Sequence, residues 1–152
     1  MFEVVPLKGV GPVLLKMGRE ESRAAMGIQP ETFRKTVDSA MLTDSYYDSA
    51  FQVFFDDRDE VEYIELSSGG PISAIYKGIS LFEIAAADLV EFLANDAPYD
   101  RNDPELGYSY IFPNLELSLW RPVLPENDED EEGQYFSTVG IGTKGYYSKR
   151  TV

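Results

Sequence analysis

Cysteine and histidine are both absent from this chain of 152 residues, and each absence removes a class of chemistry. Without cysteine there is no disulfide framework, no thiolate nucleophile and no thiolate metal site. Without histidine the common nucleophile–base pairs and imidazole zinc sites are excluded as well. Lys and Arg are scarce, 13 against 27 Asp and Glu, which leaves a formal net charge of −14. The clustered cations that phosphate contacts require are missing, so direct nucleic-acid binding is not expected. No apolar run approaches the roughly 18 residues that a membrane span needs. The first residues, Met1 to Pro6, show no basic segment ahead of an apolar one, and so do not read as a signal peptide. These absences predict a cytoplasmic chain, and a trimmed export signal fits them too.

What is abundant is aromatic and acidic. Ten Tyr and nine Phe favour strands, where flat rings fit the pleated surface. A net charge of −14 steers the encounter with a basic surface, and it also serves solubility alone.

Along the chain one pattern occurs twice. Ser80-Leu81-Phe82-Glu83 has the form of a capping box, with Ile79 and Ile84 placed as a hydrophobic staple. Phe82, Ala86, Leu89, Val90 and Leu93 then fall on one helical stripe. At an offset of 67 residues, Leu14 to Glu21 lines up with Leu81 to Asp88, and Ala25-Met26 with Phe92-Leu93. Ser45 to Phe55 aligns with Ser109 to Leu119 as a hairpin, with Phe51, Val53 and Phe55 matching Leu115, Leu117 and Leu119 as a core face of period two. A closing strand follows in each, Val61 to Leu66 and Tyr135 to Ile141. The expected fold is therefore α+β: two tandem helix–helix–antiparallel-meander units, 1–76 and 77–152, related by a pseudo-two-fold within one compact domain. The second unit carries an acidic insertion at 121–134, and insertions into one repeat map to loops, often on the binding face.

A short helix, a longer helix and an antiparallel meander, duplicated in tandem, resembles the β-lactamase inhibitor protein fold. Each half is similar to the small outer-membrane lipoproteins of the SmpA/OmlA type. Those show Gly-Met, a capping Ser or Thr, two acids and an aliphatic; here Met17-Gly18-Arg19-Glu20-Glu21-Ser22 inverts the first pair and places Ser last. The resemblance implies the fold and an inhibitory, protein-binding role.

Carboxylates are the remaining candidates for chemistry. Asp56, Asp57, Asp59, Glu60 and Glu62 cluster at one turn, and Asp96, Asp100, Asp103 and Glu105 near another. A glycosidase-like pair needs one acid in an apolar pocket, whereas these stand among turn residues. Asp128 to Gly133 begins like a calcium loop, but its ninth and twelfth positions are Phe136 and Val139, so no metal site is expected. The glycines lack a phosphate-cradling spacing. No enzyme and no cofactor are predicted.

Alternation turns Glu116, Ser118 and Trp120 away from the leucines of their strand, and Gln52 and Phe54 likewise in the first unit. Trp120 is the sole tryptophan, and six of the seven residues 126–132 just beyond it are acidic. Tryptophan is enriched at binding hot spots, although a lone one also closes small cores beneath loops. The expected partner surface is Trp120, Glu116 and Phe54 with Glu126, Asp128, Glu129, Asp130, Glu131 and Glu132. The expected function is sequestration of a basic protein, such as a nuclease toxin, in the manner of a bacterial immunity or inhibitor protein. The alternative is a housekeeping domain that binds a ligand or scaffold without inhibiting anything.

Overall fold

The computed structural model describes residues 1–34 and 41–147. The chain opens with three short strands, β1 (Phe2–Val5), β2 (Gly9–Val10) and β3 (Val13–Leu14), and then helix α1 (Arg19–Met26). Four strands follow: β4 (Glu31–Phe33), β5 (Thr43–Tyr46), β6 (Phe51–Phe55) and β7 (Val61–Ser67). A hairpin, β8 (Ala74–Tyr76) and β9 (Ile79–Ser80), leads into helix α2 (Ala86–Ala94). A last meander is built from β10 (Ser109–Phe112), β11 (Leu117–Trp120) and β12 (Thr138–Gly142). The strands form a five-stranded sheet, ordered β3-β2-β1-β8-β9, and a seven-stranded sheet, ordered β10-β11-β12-β7-β6-β5-β4.

The fold is mostly β, which overturns the expected α+β helix–helix–meander. Both of the predicted first helices are extended or turn-like instead. Lys16 donates its amide to Val61 (2.8 Å) and Val61 returns one to Met17 (2.8 Å), so this stretch is spent on strand contacts rather than a helical turn. The second is overturned at the same point. Ser80 lies in β9, its carbonyl accepts the amides of Glu83 and Ile84 (both 3.1 Å), and α2 begins at Ala86 with no side-chain cap on Ala85. The capping box is therefore not formed. The amide of Leu81 binds Ala74 (2.9 Å), which holds that side chain in the core by sheet pairing.

Alternation in the seven-stranded sheet separates two faces. On the inner face Leu119, Val139, Leu66 and Phe51 form one cross-strand row, and Leu117, Ile141, Ile64 and Val53 the next. Val4 and Val10 of the small sheet, and Leu89 and Leu93 of α2, join them in a single buried cluster. The second row ends at Asp44, which pairs with Val53 and is fully buried. Arg19 and Arg23 of α1 reach it: Arg23 forks it through Nε and Nη2 (both 2.8 Å), and Arg19 binds through Nη1 (2.9 Å). Arg19 also pairs with Asp59 (2.7 Å) and lies 3.9 Å over the Phe55 ring.

The outer face carries a smaller cluster, in which Phe54, Tyr63 and Tyr147 are buried beside Tyr146 and Ile111. The Tyr147 hydroxyl donates to Ser118 (2.7 Å), and Tyr63 and Tyr146 stack at 4.7 Å. Gly140 makes this arrangement possible, because any Cβ there would collide with the Tyr63 hydroxyl.

Three tyrosines titrate late. Burial, reinforced by the charge of Asp44, pushes the Tyr46 phenol up to about 12. Burial likewise raises Tyr76, helped by its bond to Asp96, and Tyr147, helped by Tyr63. Each folded value exceeds that of the unfolded chain, near 10, so the stability they contribute is whole below about pH 10 and is lost as pH rises through the folded values, for Tyr46 about 12. Urea midpoints should fall between about pH 10 and about pH 12, and Tyr46→Phe should flatten the fall. Equal midpoints across that range would contradict the assignment.

Candidate functional site

The site builds up from Trp120, the last residue of β11. Leu119 before it is buried on the inner face, so Trp120 emerges on the outer one, 42% exposed. It pairs with Ser109 on one side and Thr138 on the other. Around it three loops arrive at the same end of the sheet, each bringing exposed apolar side chains. Leu106 and Tyr108 precede β10, Val123 follows β11, and Tyr135 precedes β12.

Arg121 holds these loops in place. Its amide donates to Tyr108 (2.9 Å), its Nε to Gly107 (2.9 Å) and its Nη1 to Gly133 (2.7 Å). The guanidinium also lies 5.3 Å from the Phe136 ring centroid. One side chain thus fixes both flanks of Trp120, and its charge is spent on carbonyl oxygens within the frame.

The acidic run is organised rather than merely crowded. Asp130 Oδ1 accepts the amide of Glu132 (3.0 Å) and Oδ2 that of Glu126 (3.1 Å). Asn127 Oδ1 accepts the amide of Glu129 (2.9 Å), and Gln134 Nε2 donates to the Asp130 carbonyl (2.7 Å). Glu126, Asp128, Glu129, Glu131 and Glu132 are consequently exposed, while Asp130 is half-buried as the hub of the turn.

Two of the expected partner residues do not belong to this surface. Glu116, which closes the turn from Pro113 with a φ of 49°, is 4% exposed. Tyr147 of the outer cluster covers it, and the Glu116 Oε2 accepts the Tyr147 amide (3.4 Å). Phe54 does lie on the outer face, but it is buried there, 5.6 Å from the Tyr63 ring. Trp120 and the acidic run remain together, joined by Leu106, Tyr108, Val123, Tyr135 and Arg121, which sequence reasoning missed.

Comparison with protein-family models, curated proteins and solved structures finds no match. The site is therefore read from its own chemistry.

The carboxylates singled out as chemical candidates serve the frame in several cases. Asp56 accepts the amides of Arg58 and Glu60, Asp59 pairs with Arg19, and Asp103 takes the Ser109 hydroxyl (2.6 Å). Asp96 binds Tyr76 and Lys77 (2.9 and 3.0 Å), and the lysine bond holds its carboxyl below the usual carboxylate range. Among the described residues no three His, Cys, Asp or Glu side chains converge to hold a metal. No helix there is long and apolar enough to cross a membrane.

Proposed function

We propose that this chain is a non-catalytic binding domain that sequesters a basic protein partner, with Trp120 as the anchor and the acidic run as the rim. The observation that carries this reading is the exposure of the sole tryptophan at a sheet end where four further exposed apolar side chains and an acidic loop meet. Aromatic anchors within a charged rim are the usual anatomy of a protein interface. A net charge of −14, with Arg121 already committed, selects a cationic partner. Blockade of that partner is the mode of action proposed. The absence of cysteine supports a reducing, cytoplasmic setting.

The test is co-purification of the native chain and its Trp120→Ala variant, followed by titration of the recovered protein. A basic protein should be retained in stoichiometric amount by the native chain, and its binding should move the fluorescence of the single tryptophan. Trp120→Ala should weaken that binding by about 2 kcal/mol. Trp120 is at a strand end and half out of the core, so the variant should keep its fold. Retention that ignores the substitution, or recovery of acidic proteins only, would sink the reading.

A further inference from the structure

A second feature lies at this end of the sheet. The β5–β6 turn, Tyr47 to Ala50, faces the chain leaving β7, Ser67 to Pro71, across an open cleft of about 460 Å³. The walls are tied where they meet, since the Ser67 amide donates to the Ala50 carbonyl (2.9 Å). Gly70 allows the close approach: a Cβ there would stand 2.5 Å from that of Ala50.

The turn itself is strained. Tyr47, Asp48 and Ser49 hold successive φ values of 55°, 54° and 73°. Left-handed backbone is costly for every residue but glycine, and least so for Asp and Asn. Tight hairpin turns commonly use left-handed backbone but place Asn or Gly there, whereas this turn holds it at three successive residues without a glycine. Strain concentrated at one turn is a pointer to function. Its consequence here is to set Asp48 and Ser49, both exposed, on the wall of the cleft.

The lining is mixed, with Ala50, Gly69, Gly70 and Pro71 beside its polar groups. It offers one carboxylate (Asp48), the hydroxyls of Ser49, Ser67 and Ser68, the Gln52 amide and the Tyr47 ring, and neither Lys nor Arg lines it. A group rich in donors and carrying positive charge is what such a wall can solvate. Guanidinium matches best: it is flat, presents five donors, forks a carboxylate and stacks on aromatic rings. The volume lies within the range of ordinary ligand sites, about 300–1,000 Å³. The position is equally specific. Ser67 pairs with Thr138 and Thr138 with Trp120, which sets the cleft two strands, about 10 Å, from the tryptophan.

We infer that this cleft receives an arginine side chain of the basic partner, as a second point of attachment beside Trp120. The source of the cation rests on the proposed function, whereas the affinity of the cleft for guanidinium stands by itself. Agmatine, an alkylguanidine without a carboxylate, separates the two. Titrated into isotope-labelled protein, it should shift the amide resonances of Ser49, Ser68, Gly69 and Gly70 along one saturating curve. (4-Aminobutyl)urea, which keeps the terminal amine and loses the guanidinium charge, should not. Asp48→Asn should weaken agmatine about tenfold, and it should keep the turn, because Asn tolerates the left-handed region.

Shifts that spread over residues 126–132 without saturating would mean diffuse attraction, and would overturn the inference. So would an affinity that ignores Asp48→Asn. If a basic partner binds and depends on Trp120, yet agmatine neither occupies the cleft nor competes, the cleft inference fails and the proposed function stands. If agmatine saturates the cleft but no basic partner exists, the guanidinium site stands, and both its protein source and the proposed function fall.

Discussion

Asp44→Ala is expected to cost about 3–5 kcal/mol of stability, the loss seen when one member of a buried ion pair is removed. Asp44 is fully buried on the inner face, at the end of a row of aliphatic side chains. Its two oxygens receive three guanidinium bonds, of 2.8, 2.8 and 2.9 Å, from Arg19 and Arg23. Among the described residues, the substitution leaves Arg19 with Asp59 and the Leu42 carbonyl (2.9 Å), but Arg23 with only an exposed Glu20 at 3.8 Å. Helix α1 has eight residues, too few to stand alone, and Ser22 is its one fully buried side chain. The arginines are thus the main polar tie that holds it to the sheet, beside Met26, which packs against the core. Urea unfolding near neutral pH should show the loss, and hydrogen exchange should speed first within 19–26. Domains of this size have about 5–15 kcal/mol in total, so the variant should sit near its folding limit. A loss under about 1 kcal/mol, with α1 still protected, would show that packing rather than charge secures the helix.

The buried rows were legible in the sequence, because period-two alternation decides them locally. Phe51, Val53 and Phe55, and later Leu117 and Leu119, are all buried, and so are Ala86, Leu89 and Leu93 of the α2 stripe. What stayed hidden depends on partners far along the chain. Leu14 to Met17 and Leu81 to Ile84 are short apolar runs, which fit a helix or a strand equally well until their pairing with Val61 and Ala74 is known. Thr43, Asp44 and Ser45 are polar, yet all three are buried, and the arginines that neutralise Asp44 lie 21 and 25 residues earlier. Glu116 was lost to Tyr147, which lies 31 residues later and covers it on the outer face. In the site, Trp120 could be turned outward by counting along its strand. Leu106, Tyr108, Val123 and Tyr135 could not, since they come from three loops that only the fold, riveted by Arg121, brings together.

Changing Asp128, Glu129, Glu131 and Glu132 together to their amides should slow association with the basic partner at least about tenfold at low salt, and leave dissociation nearly unchanged. Asp130 is deliberately spared. Its oxygens cap the amides of Glu126 and Glu132, so replacing it would disturb the turn as well as the charge. The loop base is equally fixed, because Gly133 has a φ of 80° and any Cβ there would strike the Val123 carbonyl. The four substituted groups are exposed, and removing them subtracts field without subtracting packed surface. Their action at a distance is screened by salt: the Debye length falls from about 30 Å at 0.01 M to about 8 Å at 0.15 M. The difference between native and neutralised chains should therefore shrink as salt is added. Trp120→Ala should behave in the opposite way, accelerating dissociation by a factor that salt does not change, since desolvated aromatic contact is lost only after the encounter. Stopped-flow mixing resolves the two, with the single tryptophan reporting binding for the neutralised chain. If native and neutralised chains share one salt dependence, or if the charge changes appear in the dissociation rate, the acidic rim is part of the contact itself and does not steer.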